Sequence, residues 1–223
     1  VPKKKLIRFE QISSFPNVVQ PDEHYPINDH PLKGRWSEMH FGNSHDLILE
    51  IGCGKGEYTL ALAGKNPHIN HIGIDIKGDR IWRGAHDAIN QNLHNAAFLR
   101  IQAQLLNYYF APAEVSEIWL TFPDPQQQKS RERIRLTSLD FLAIYRNVLK
   151  PQGVVHLKTD HDMLFAYTLD LVKKNGHTVN FQTKDLYNEQ HTPNGLLTEC
   201  KTHYENIYIN KGVPIKYLQF KFM

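Results

Sequence analysis

From residue 46 onward, short apolar runs of strand length alternate with stretches whose apolar positions repeat every three or four residues. The runs Leu47–Ile51, His71–Ile76, Ala97–Ile101, Val115–Phe122 and Val154–Lys158 are compact and nearly continuous, the pattern of strands covered on both faces. Between them, Tyr58–Asn66 reads as a helix closed by Pro67, and Asp79–Asn92 carries Ile81, Trp82, Ala85 and Ile89 on one face. Ser138–Val148 and Asp162–Lys174 are helical segments on either side of the fifth run. Strands alternating with helices force parallel neighbours and helices on both faces of the sheet, so the fold class is α/β. The end of the chain differs. Thr178–Thr183 and Ile215–Phe222 are strands joined by a polar, irregular stretch, which suits an antiparallel edge. The expectation is a mostly parallel, seven-stranded sheet with an antiparallel last strand.

Residues 1–45 lack this alternation and are rich in Pro, Asn, Asp and His. Phe9, Phe15, Val18, Val19, Tyr25 and Trp36 make them too apolar for a free tail, so they read as an arm laid over a domain spanning 46–223, with a mobile lysine-rich tip. No apolar run approaches the roughly 20 residues of a membrane span, and the start at Val1-Pro2-Lys3-Lys4-Lys5 has no apolar secretion core; the expectation is a cytoplasmic protein with no membrane partner. The two cysteines, Cys53 and Cys200, read as reduced thiols.

Composition adds little until its clustering is considered. The net charge is only +3, but Lys3-Lys4-Lys5 with Arg8, and Lys129 with Arg131, Arg133 and Arg135, are dense basic groups of the kind that grip phosphates or merely solvate a face. Thirteen histidines raise the question of a metal, yet they are scattered singly, with no His-Glu-x-x-His and no Cys-x-x-Cys; no metal is expected.

The chemistry concentrates where strands end, the edge at which open α/β sheets collect ligands. The first strand runs into Glu50-Ile51-Gly52-Cys53-Gly54-Lys55-Gly56. Glycines at alternate positions permit a tight turn and close approach of a ligand to the backbone. A carboxylate in such a strand needs a partner: a lysine, a helix start, or a cationic ligand. An amine and a sulfonium fit it better than a pyrophosphate does, and the motif resembles that of S-adenosylmethionine-dependent methyltransferases. Asp75, after the second strand, is placed to accept from ribose hydroxyls or to start a turn. Gln102, after the third, can pair with an adenine edge or lie on the surface. After the fourth, Phe122-Pro123-Asp124-Pro125 holds a carboxylate between two prolines, followed by glutamines 126–128 and the basic segment.

Taken together, Phe15-Pro16-Asn17-Val18, Glu50 to Gly56, Gly73-Ile74-Asp75, Phe122-Pro123-Asp124-Pro125, Arg135-Leu136-Thr137, Leu157-Lys158-Thr159-Asp160, Thr202-His203-Tyr204-Glu205 and Lys211-Gly212-Val213-Pro214-Ile215 resemble the bacterial tRNA (guanine-N7-)-methyltransferase family, over nearly the whole chain. The resemblance implies a Rossmann-like class I methyltransferase fold and S-adenosyl-L-methionine as cofactor. It implies tRNA as partner and methylation at N7 of a guanine in the variable loop, by a monomer or homodimer. It places Glu50, Gly52, Gly54, Gly56, Asp75, Gln102 and Asp124 on the cofactor, with Asp124 also the catalytic group. Substrate contacts fall on Gln128 or its neighbour Lys129, since the family's lysine position holds glutamine here, and on Asp160, Thr202 and Glu205. Bland alternatives remain in the residues themselves: Asp160 at a helix N-cap, Thr202 and Glu205 on a helix surface. Two rival functions also remain, a methyltransferase with a non-tRNA substrate and a non-catalytic RNA-binding subunit.

Overall fold

The computed structural model describes residues 3–21, 28–193 and 195–223, and the side chains of residues 3–6 and 9 fall outside the description. The readings of Tyr25, of the Phe9 side chain and of the lysine side chains at the tip therefore lie outside the described residues. In chain order the elements are α1 (Lys3–Ile12), β1 (Val18–Val19), β2 (Asp46–Ile51), α2 (Glu57–Lys65), β3 (Ile69–Ile74), α3 (Gly78–Asn90), β4 (Ala96–Leu99), α4 (Leu106–Tyr109), β5 (Val115–Thr121), α5 (Leu139–Val148), β6 (Leu149–Thr159), α6 (Asp162–Lys174), β7 (Thr178–Thr183), α7 (Leu196–Glu199), α8 (His203–Asn210) and β8 (Lys216–Lys221).

The strands form one sheet in the order β1-β4-β3-β2-β5-β6-β8-β7. Pairing is parallel from β1 through β6, and β8 runs antiparallel to both of its neighbours. Leu47, Leu49, Ile51, Ile72, Ile74, Ala97, Leu99, Ile118, Leu120, Val155 and Leu157 from the central strands share the main core. Burial on both faces is why these strands read as unbroken apolar runs rather than alternating ones.

Two differences from the sequence reading have clear causes. The sheet has eight strands, not seven, because Val18 and Val19 of the arm add to the outer edge of β4. A two-residue strand leaves no periodicity to read. The expected antiparallel edge is built by the two late strands, with β8 inserted between β6 and β7 and β7 at the border. The stretch between β7 and β8 holds α7 and α8, both too short for a periodic signal.

The arm is stitched to the domain. Ile12 is fully buried against Ile81, Ala85, Ala88 and Phe98. The amides of Phe98 and Arg100 donate to the carbonyls of Asn17 and Val19 at 2.8 and 2.9 Å. Trp36 is fully buried, donates its indole N–H to the Tyr109 carbonyl at 2.8 Å and stacks on Phe110 at 5.4 Å between centroids. Removing that indole leaves a cavity and takes a donor from the Tyr109 carbonyl. We therefore expect Trp36→Ala to lower unfolding free energy by about 3–5 kcal/mol in urea titrations; a loss below about 1 kcal/mol would show that the arm is not part of the cooperative unit.

Candidate active site

The chain order of the sheet reverses at β2: β3 and β4 lie to one side, β5 and β6 to the other. Parallel pairing puts the carboxyl ends of all five strands on one edge. Along that edge follow Gln102 after β4, Asp75 after β3, Glu50 and the glycine loop at the end of β2, Asp124 after β5, and Asp160 after β6. Residues far apart in the sequence are thereby aligned at the reversal point where α/β sheets open a crevice.

The loop after β2 is held by the amides of Gly52 and Cys53, which donate to the Ile74 carbonyl at 2.8 and 3.0 Å. Gly56 has φ +72°, and a Cβ there would stand 2.5 Å from the Phe98 ring, so only glycine lets β4 and the loop close up. Gly54, at φ +58°, has nothing within 4 Å of the corresponding position, leaving its backbone open to a ligand. The Gly54 amide donates to Asp75 Oδ2 at 3.0 Å and the Lys77 amide to Oδ1 at 2.8 Å, so the buried Asp75 both starts the next turn and braces the loop.

Glu50 is 3% exposed. Its Oε2 accepts from the amide and hydroxyl of Thr59 at 2.8 and 2.5 Å, and its Oε1 from the Thr121 hydroxyl at 2.5 Å. No cation is among these partners. Burial therefore dominates and pushes the carboxyl up to about 7, although the threonine donors pull it back. The cleft beside it, about 140 Å³, is lined by Glu50, Gly52, Cys53, Gly54, Lys55, Glu57, Arg80, Thr121, Phe122 and residues 202–204. Sequence reading missed Lys55, Glu57, Arg80, His203 and Tyr204; the position of Lys55 and Glu57 beside the glycines was the available signal.

Asp124 is exposed on a turn whose flanks are strained: Phe122 and Gln126 have φ of +50° and +44°. Its Oδ1 accepts from the Gln126 amide at 3.0 Å. Arg135 corrects the sequence reading. It is only 5% exposed, donates to the carbonyls of Pro125 and Gln126 at 3.2 Å, and lies over the Tyr167 ring at 4.5 Å. It clamps the Asp124 turn from inside and is not part of a surface phosphate grip. Gln128, Lys129, Arg131 and Arg133 are exposed, and Lys129–Ile134 forms a 3-10 helix.

Asp160 is partly exposed, and α6 is entered through His161, so Asp160 is not its N-cap. Lys216 donates to its carbonyl at 2.9 Å, while the phenol of Tyr208 faces its carboxylate, which raises the phenol's pKa. Thr202 caps α8 and lines the cleft. Glu205 does not reach the cleft: it is fully buried, bonded to Lys158, Tyr187 and the Thr202 amide. The edge thus assembles Glu50, the glycines, Asp75, Gln102, Asp124, Asp160 and Thr202, and leaves Glu205 inside.

Residues 44–218 match a family described as putative methyltransferase. A tRNA (guanine-N(7)-)-methyltransferase of Christiangramia forsetii is 50% identical over 98% of both chains. The chain belongs to the tRNA (guanine-N(7)-)-methyltransferase family. A relative with the same description from Bacteroides thetaiotaomicron is 42% identical over 98% of this chain and 86% of its own. In fold the chain is similar to a SAM-dependent methyltransferase from Aquifex aeolicus, with a TM-score of 0.56 at 13% identity over 87% of this chain and 95% of that one. The buried carboxyl beside the glycine loop is the feature to test. Because the Glu50 pKa is raised from its ordinary 4.5, the folded chain holds that proton more tightly than the unfolded one. The resulting stability is fully present below pH 4.5 and is lost as pH rises through 7. Without ligand, Glu50→Gln should remove a loss of roughly 3 kcal/mol between pH 5 and 8, measured by urea unfolding; parallel pH profiles for the two proteins would refute the assignment.

Proposed function

We propose that this protein transfers a methyl group from S-adenosylmethionine to N7 of a guanine in the variable loop of tRNA. The observation that carries the reading is the row of acidic groups at the carboxyl edge of the parallel sheet, around a glycine loop open at Gly54, in a chain half identical to a named tRNA (guanine-N(7)-)-methyltransferase.

The donor set fits a cationic cofactor. Glu50 has no cation among its partners, so a ligand amine supplies the missing charge. Asp75 keeps lone pairs beyond its two backbone bonds for ribose hydroxyls, and Gln102 stands at the next strand end for the adenine edge. When bound, S-adenosylmethionine supplies an electrophilic methyl whose transfer leaves a neutral thioether and a cationic guanine.

Guanine N7 carries a lone pair and no proton, so the protein needs no general base. Its work is alignment and charge. The Asp124 turn, braced by Arg135 and by strain at Phe122 and Gln126, holds a carboxylate fixed while positive charge moves onto the ring. Asp160 accepts from the N1–H and exocyclic amine, a donor pair particular to guanine, and the Thr202 hydroxyl donates to the base. An N7 that must be reached in line requires the base to leave its stack. Arg8 of the arm, stacked on Trp82 at 4.6 Å, and the exposed Lys129, Arg131 and Arg133 take the phosphates, with Gln128 beside them.

Incubating the protein with labelled S-adenosylmethionine and bulk tRNA should yield 7-methylguanosine on digestion. Label in protein or small molecules points to another substrate; tRNA binding without label points to a non-catalytic RNA-binding subunit. Asp124→Ala should lower kcat by about a hundredfold or more while tRNA affinity holds within a few-fold. In a separate measurement, replacing Lys129, Arg131 and Arg133 by Ala should flatten the log–log salt dependence of tRNA binding by about two to three units. An unchanged slope would move the RNA face elsewhere.

A further inference from the structure

The turn that carries Asp160 is held from both faces of the sheet. Residues paired in register share a face, and Lys216 at the start of β8 stands opposite Thr159 at the end of β6. From there its side chain reaches the start of α6. The ammonium donates to the Asp160 carbonyl at 2.9 Å and pairs with Asp162 Oδ1 at 3.0 Å, and the lysine side chain is only 5% exposed. Asp162 is 88% exposed, and an ion pair with so open a partner holds little by itself. The fixed contact is therefore the carbonyl. Between the two acids, the His161 amide donates to Thr159 Oγ1 at 3.1 Å, and the His161 ring meets the Gln127 side chain of the Asp124 turn at 3.0 Å.

On the other face, Tyr217 alternates with Lys216 and shares a cluster with Phe122 and Tyr208. Tyr208 of α8 stacks on the Phe122 ring, with 6.2 Å between centroids and 16° between planes. Its phenol faces the Asp160 carboxylate, whose negative charge raises the phenol's pKa, so the hydroxyl keeps its proton and serves as a donor. Phe122 is the residue whose left-handed backbone opens the Asp124 turn. Tyr208 thus meets both acidic turns at once.

We propose that Lys216 and Tyr208 are positioning residues that act through Asp160: one fixes its backbone and the other its carboxylate, and together they set how sharply the site reads the exocyclic amine of the base. The proposal rests on the methyl-transfer reading for what Asp160 meets. A carboxylate has about four lone-pair sites, enough to accept from Tyr208 and from both donors of a guanine edge. Meeting the two base donors together depends on orientation, and a carboxylate free to swing keeps one at the expense of the other. Inosine offers the N1–H without the amine, so it reports that orientation directly.

The test follows wild type, Lys216→Met and Tyr208→Phe, and the same two changes in an Asp160→Asn background, on tRNA transcripts carrying guanosine or inosine at the methylated position. Wild type should prefer guanosine by about tenfold or more in kcat/KM. Each single variant should lower kcat on guanosine by about fivefold or more and shrink the preference to about threefold or less, while S-adenosylmethionine binding and KM for tRNA stay within about threefold of wild type. With Asp160→Asn already present, neither change should lower kcat by more than about a further twofold, because the group they aim is gone. Equal losses in both backgrounds, an undiminished preference for guanosine in the variants, or a wild type indifferent to the amine would overturn the proposal. Tyr208→Phe keeps the ring on Phe122 and removes one oxygen from a half-buried side chain, so it carries the same test if Lys216→Met does not fold. Hydrogen exchange in the free protein supplies a reading that needs no tRNA: peptide 159–166 should exchange about tenfold faster in Lys216→Met than in wild type, and unchanged exchange would remove Lys216 from the role. Faster exchange there, in a protein whose wild type forms no 7-methylguanosine, would count against the proposed function alone.

Discussion

A carboxylate buried at the end of a central strand is the constraint around which this protein is arranged. Glu50 is kept inside by three hydrogen bonds from two threonines and by no cation, so its ionised form is held at a cost that a cationic ligand can relieve. The requirement spreads outward. Thr59 must sit in the first turns of α2, which demands the tight glycine turn, and Thr121 must end β5, which demands that β5 lie beside β2. The site is thus specified by the same contacts that fix the centre of the sheet.

The other acidic groups on the edge are held by different means, each matched to its exposure. Asp75 is short and close to the backbone, so two amides suffice to orient it. Asp124 is exposed and would wander on an ordinary loop. Left-handed backbone on both sides and a buried guanidinium beneath hold it instead, a use of strain that suits a group acting by position and charge. The wall opposite is carried by the stretch between β7 and β8, which has little regular structure of its own and is anchored from below by Lys158.

Legibility in the sequence followed the length scale of each interaction. The central strands could be read because burial on both faces leaves unbroken apolar runs, and their ends could be read because glycine and proline mark the backbone directly. Strand β1 and helices α7 and α8 could not, being too short to show a period. Arg135 misled for a related reason: four basic residues in one segment look alike, yet only this one meets two carbonyls and an aromatic face brought from elsewhere in the chain.

The residues standing at the strand ends, and the need for glycine in the first turn, were determined by local order along the chain. Both depend on the strand period and on allowed backbone angles, which neighbouring residues set among themselves. Only the tertiary structure decided which carboxylates line the cleft without a cationic partner. Glu50 and Glu205 both stood among the acids expected at the site, but one is matched with threonine donors and the other with a lysine from β6. That choice rests on strand order and on how a distant segment folds back over the edge, and no local pattern records it.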